Sequence, residues 1–130
     1  MTAIINFWRS TKGTTAVEFA LIAPIVLLLC FSTLEIGRAI YTRSELAYAI
    51  DLGARKVFLD PDITKQDLDE AINLGLTAAL RTQVIIETGL VSDMQGTHRV
   101  LEARMPFSFI VPFVPQGAFI LSVQRSVPMT

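Results

Sequence analysis

The 130-residue chain carries 11 Lys+Arg against 12 Asp+Glu, giving a formal net charge of −1, and is 52% hydrophobic but only 18% charged. That length allows one domain rather than two, and the near-zero charge excludes a protein held to nucleic acid by bulk basic charge. A mean hydropathy of +0.51 is too high for a disordered chain or an ordinary soluble domain. Cys30 and His98 are the only cysteine and histidine, so an intrachain disulfide framework is impossible and no metal cage or cofactor motif is in view.

The apolar excess lies near the N-terminus. Phe19 to Leu34 is a run of 16 uncharged residues, FALIAPIVLLLCFSTL, and extending it back to Gly13 gives 22 residues interrupted only by Glu18. A helix crosses a bilayer core with about 20 apolar residues, so this segment spans if Glu18 is included or stands at its border. Arg9 and Lys12 precede the run and Glu35 follows it. The positive-inside rule then places the N-terminus in the cytoplasm and everything beyond Glu35 outside it, in a single-pass topology. A secretory signal peptide is the competing reading, with Gly37-Arg38-Ala39 as a small-x-small site. The charge inside that site and the helical pattern running through it argue against cleavage there. Cys30 reads as an apolar filler of the span. Glu18 is less easily dismissed, because a carboxylate at membrane depth costs about 2–3 kcal/mol, less near the interface.

The border of this segment reads KGTTAVEFALIAPIVLLL, with Gly13 after a basic residue and Glu18 five positions later. Downstream follow LEIGRAIY, containing Glu35, Gly37 and Arg38, and LGARKV, containing Gly53, Ala54 and Arg55. The first motif resembles the processing site of type IV prepilins, and the succession of all three resembles the TadE-like pseudopilins of the Tad (Flp) pilus and tight-adherence secretion machinery. The resemblance implies that residues 1–13 are a cytoplasmic leader removed by prepilin peptidase between Gly13 and Thr14. It implies a transmembrane helix over residues 14–35 and a periplasmic, pilin-like domain over residues 36–130. Phe19 after Glu18 fits the Glu-aromatic pair of Flp-type sequences. Common type IV pilins begin the mature chain with Phe, whereas Thr14 would be first here.

The chemistry of such a border follows from charge. Cleavage would remove Arg9 and Lys12, taking the side-chain charge from −1 to −3, and would create an α-amino group on Thr14 with an ordinary pKa of about 7.7–8.0. Thr14 and Glu18 stand four residues apart, on one helical face, and a carboxylate in the first turns is favoured by the macrodipole. Each charge is costly alone in lipid and less so when paired. The resemblance implies that Glu18 of one subunit meets the Thr14 amine of the next and so sets the register of assembly.

One helix is expected from about Ala16 to Leu59, roughly 66 Å long, kinked at Pro24 and stopped at Asp60-Pro61. Ile36, Ile40, Ala47, Ile50, Ala54 and Val57 form a stripe at helical spacing that should pack on the chain's own domain. Its first turns, Ile36 to Ala47, could instead face neighbouring subunits. Arg38, Thr42, Glu45, Asp51 and Arg55 fall largely off the stripe, with Asp51 and Arg55 as an i,i+4 pair. Thr64 and Asp67 resemble a capping box opening a second helix, with Leu68, Ile72, Leu76 and Leu80 as its apolar face and Arg81 at its end. The acids Asp67, Asp69 and Glu70 read as a charged first turn rather than a metal site.

After residue 83 the period changes from 3.6 to 2. Val84 to Val91, Leu101 to Phe109 and Phe119 to Val127 read as about three antiparallel strands, the first the weakest, with Ser92-Asp93-Met94-Gln95-Gly96 as a turn. One face is apolar and needs the long helix as its cover, which predicts an α+β fold: a pilin-like long N-terminal helix packed on a short helix and a small antiparallel sheet. Phe109, Ile110, Val111, Phe113 and Val114, interrupted by Pro112, make an apolar loop that either contacts a partner or the membrane or folds back on the core. His98 reads as a surface residue.

No nucleophile-base pair, carboxylate cleft, metal cage or phosphate loop is visible, so an enzyme is not expected. The resemblance implies a minor pilin or pseudopilin acting in pilus initiation or assembly. Its partners would be other pilin subunits, prepilin peptidase, the inner-membrane assembly platform and the lipid bilayer, and no nucleic acid. Its place would be the bacterial inner membrane, with incorporation into the pilus left open. The rival reading is an uncleaved, membrane-anchored adaptor that displays the sheet domain.

Overall fold

The computed structural model describes residues 13–94, 96–110 and 119–129. A single helix, α1, runs from Thr14 to Leu59, followed by α2 (Lys65–Leu74), a one-turn α3 (Ala78–Arg81) and strands β1 (Ile85–Asp93), β2 (Gly96–Phe107) and β3 (Phe119–Met129). The strands form one antiparallel sheet in the order β1-β2-β3. The class is α+β, as the change of period requires.

The sheet alternates as its sequence does. Leu101, Ala103, Met105 and Phe107 of β2 are buried, and Val123 and Val127 of β3 lie on the same face. Leu46, Ala49, Ile50 and Val57 of α1 cover that face, and Leu68 and Ile72 of α2 with Leu76 complete the core. On the outer face Glu87 and Glu102 stand directly opposite each other, an arrangement that destabilises a sheet unless a cation relieves it. Arg104 does so, gripping both Glu102 oxygens at 2.7 and 2.8 Å and lying 3.8 Å from Glu87. That guanidinium holds the Glu102 carboxyl below its ordinary range, and the carboxylate raises Arg104 in return. Pro106, in the middle strand, is tolerated because β1 begins only at Ile85, opposite Arg104, so Pro106 has only β3 beside it.

Four expectations need correction. The expected stripe of α1 packs on the domain only from Ala47 onward: Ile50 and Val57 are buried and Ala47 and Ala54 lie against the core, whereas Ile36 and Ile40 are exposed and Glu35, Thr42, Leu46, Ala49 and Gly53 share the buried face. Asp51 does not pair with Arg55 but accepts from Arg125 Nε of β3 at 2.7 Å, a partner that only the folded sheet brings near. The capping box holds, with Thr64 Oγ1 accepting from the Asp67 amide at 3.2 Å and donating to its carboxylate at 2.7 Å. The helix it opens stops at Leu74, however, and Arg81 closes a separate turn. His98 is half-buried, with Nε2 3.4 Å from an Asp93 oxygen, rather than fully on the surface.

The residue that follows Leu74 has to be glycine. A Cβ at Gly75 would lie 2.8 Å from the Ala49 Cα, so the two backbones approach too closely for any side chain. The Glu45 carboxylate fastens the same corner by accepting from the Thr77 amide at 2.6 Å. Gly75→Ala is expected to destabilise the domain by about 1–3 kcal/mol through overpacking. Gly37→Ala, where a Cβ meets nothing within 4 Å, should instead stabilise it by roughly 0.5–1 kcal/mol through helix propensity. Denaturant melts of the two variants should therefore move in opposite directions; a common direction would overturn the packing account.

Candidate functional site

The residues singled out by motif lie at the two ends of the apolar part of α1. At the first end, Gly13 is the N-cap, with φ −91° and ψ −17° and no side-chain cap, and Thr14 is the first helical residue. Glu18 is exposed, as are Val17 and Phe19. The first turn contains no acidic residue, since Glu18 stands just past it. The macrodipole fades within that turn, so its support for Glu18 is weaker than the sequence reading assumes.

From Phe19 to Leu34 the large apolar side chains are exposed around the helix. The most apolar 18-residue window of α1 has a mean hydropathy of 2.3, and only 6% of it is buried within the protein. A core helix would be covered by its own fold; this one is apolar all round and uncovered, which is the character of a membrane span. It is a helix long and apolar enough to cross a bilayer.

At the second end the chain builds a polar junction that links the helix to the sheet. Glu35 is buried, and its Oε2 accepts from Arg38 Nη2 at 2.8 Å and from the Ile110 amide at 3.2 Å. Arg38 Nη2 also donates to the Ser108 carbonyl, and the guanidinium sits over the Phe107 ring, 4.5 Å from its centroid. Phe109 stacks edge-on between Phe107 and Phe119, with centroids 5.0 and 5.1 Å away. A buried carboxylate is tolerable only with such partners. The motif residues Glu35 and Arg38 are therefore brought together and joined to the start of the apolar loop.

The remaining motif residues divide. Gly53 is buried where α2 crosses, since a Cβ there would lie 2.6 Å from Ile72 Cγ1, and Ala54 packs against the core beside it. Arg55 and Gly37 are exposed and serve no contact of that kind. Of the loop, Phe109 folds onto the core while Ile110 is 77% exposed; Val111, Phe113 and Val114 lie outside the described residues. Sequence reasoning missed Thr42 as a buried residue, and it missed the tie from Glu45 to Thr77. No local signal marks either, because the atoms that surround them come from distant parts of the chain. Among the described residues no cluster of His, Cys, Asp and Glu could hold a metal ion.

Residues 13–55 fit the family model described as TadE-like protein, a stretch that begins at Gly13, ends at Arg55 and otherwise lies wholly on α1. The likeness is therefore shown over the long helix, while α2 and the sheet stand outside it. No curated protein and no solved structure shows significant similarity to the chain.

Proposed function

Starting from a chain whose residues 13–55 are TadE-like, we propose that it is a pilin-like subunit of a Tad-type pilus or tight-adherence secretion machine, acting in initiation or assembly. It is a structural part rather than an enzyme. The observation that carries this reading is the uncovered apolar helix with a lone carboxylate, Glu18, one turn from Thr14. Prepilin peptidase, cutting after Gly13, would supply the Thr14 amine as the mate for Glu18 of an adjoining subunit, so assembly would wait on that cut. The N-terminus would be cytoplasmic and the sheet domain periplasmic.

The face of α1 opposite the core supports the same reading. Ile36, Gly37, Ile40, Tyr41 and Tyr48 are exposed there, with Arg43 at the edge of the patch. Gly37 costs the helix stability and relieves no crowding within the chain, which fits a surface approached by a neighbouring subunit or the assembly platform. The test is the N-terminus of protein extracted from its native membrane, read by mass spectrometry. A chain beginning at Thr14 is expected; one beginning at Met1 or Thr2 in cells with active prepilin peptidase would favour the uncleaved adaptor instead.

A further inference from the structure

The face of α1 that carries the domain continues beneath it into the apolar segment. There a groove of about 670 Å³ runs from Pro24 past Leu28 and Phe31 to Glu35 and Arg38, overhung by Ile110. We propose that this groove holds a phospholipid, with one acyl chain along Pro24 to Phe31 under Ile110 and the headgroup phosphate at Arg38. The proposal rests on the reading of α1 as a membrane span.

Three observations carry it. Pro24 lies 11 residues before Glu35, roughly 16 Å along the axis at 1.5 Å per residue, which matches about 15 Å for one leaflet of hydrocarbon. The groove is apolar along that length and offers water no partners, while its charged groups stand only at the end nearest the sheet. Arg38 makes both its bonds through Nη2, and its side chain remains 41% exposed at that end, where lipid phosphates lie and a guanidinium suits them. Residues 108–110 are meanwhile clamped to Glu35 and Arg38. Ile110 is thus held at the membrane border with most of its surface uncovered. The domain would rest on the bilayer at two points, the helix and this overhang, which fixes its tilt.

The experiment uses the full chain in nanodiscs, with Cys30→Ser as background and single cysteines labelled with an environment-sensitive fluorophore at Ile110, Phe31 and Met94. Cys30 is free and exposed, and Met94 lies fully exposed at the far hairpin. Lipids brominated at mid-chain are expected to remove most of the emission at Phe31 and lipids brominated near the top of the acyl chain most of that at Ile110, with aqueous iodide acting on Met94 alone. Loss of emission at Phe31 with Ile110 responding only to iodide would overturn the groove assignment and leave the span intact. Insensitivity of both positions to brominated lipid would overturn the span itself. Native mass spectrometry of the released protein should find one phospholipid retained by the parent chain and by Arg38→Lys but lost from Arg38→Gln; equal retention by all three would overturn the headgroup assignment. Disulfide-linked Ile110→Cys pairs without lipid quenching would assign the groove to a second copy.

Discussion

A chain carrying Gly13→Leu is expected to accumulate at full length, with Met1 or Thr2 as its N-terminus and no species beginning at Thr14. Recognition by the peptidase and folding of the chain make separate demands on this position. Gly13 has ordinary right-handed backbone angles and open space where a Cβ would stand, so the fold does not demand glycine there. A leucine at this place leaves α1 and the sheet unaffected, and a denaturant melt should be indistinguishable from the parent. Loss of shortening with an unchanged melt would then locate the requirement for glycine in the peptidase. Normal shortening of the variant would refute the assigned cut.

Glu18→Ala is expected to reach the membrane as well as the parent and to fail at assembly. Removing the carboxylate relieves a cost of up to about 2–3 kcal/mol at membrane depth, so carbonate-resistant anchorage should be kept or improved. The side chain is exposed and has no partner among the described residues of its own chain, so the domain has nothing to lose. Its absence would strand the Thr14 amine of the neighbouring subunit without a counter-charge. Cross-linking between subunits and piliation should both fall to background, and Glu18→Asp, which keeps the charge, should recover part of each. Normal cross-linking in Glu18→Ala would remove the register role while leaving cleavage untouched.

Much of the architecture is readable from local periodicity, because a helix or a strand declares its side-chain period within its own residues. The span from Phe19 to Leu34, the stop at Asp60-Pro61, the capping box at Thr64 and the alternation from Leu101 to Phe107 are all of this kind. Gly13, Thr14 and Glu18 stand out in the sequence by their spacing at the border of that apolar run, and the role given to them is the one proposed above.

Tertiary structure decided the phase of the long helix. Ile36 and Ile40 offer a stripe as apolar as the one used, yet Glu35 and Thr42 lie on the buried side. The reason is that Arg38 and the Ile110 amide donate to Glu35 while Arg38 also donates to the Ser108 carbonyl, which fastens the helix to a segment about 70 positions away. Asp51 takes Arg125, which the folded sheet brings near, over the local Arg55, and residue 75 at the end of the second helix must be glycine because the Ala49 backbone occupies the space a side chain would need. Sequence by itself determined the elements, the membrane segment and its charged border. Which faces meet, and which acid joins the helix to the sheet, depended on contacts that exist only once distant segments are packed together.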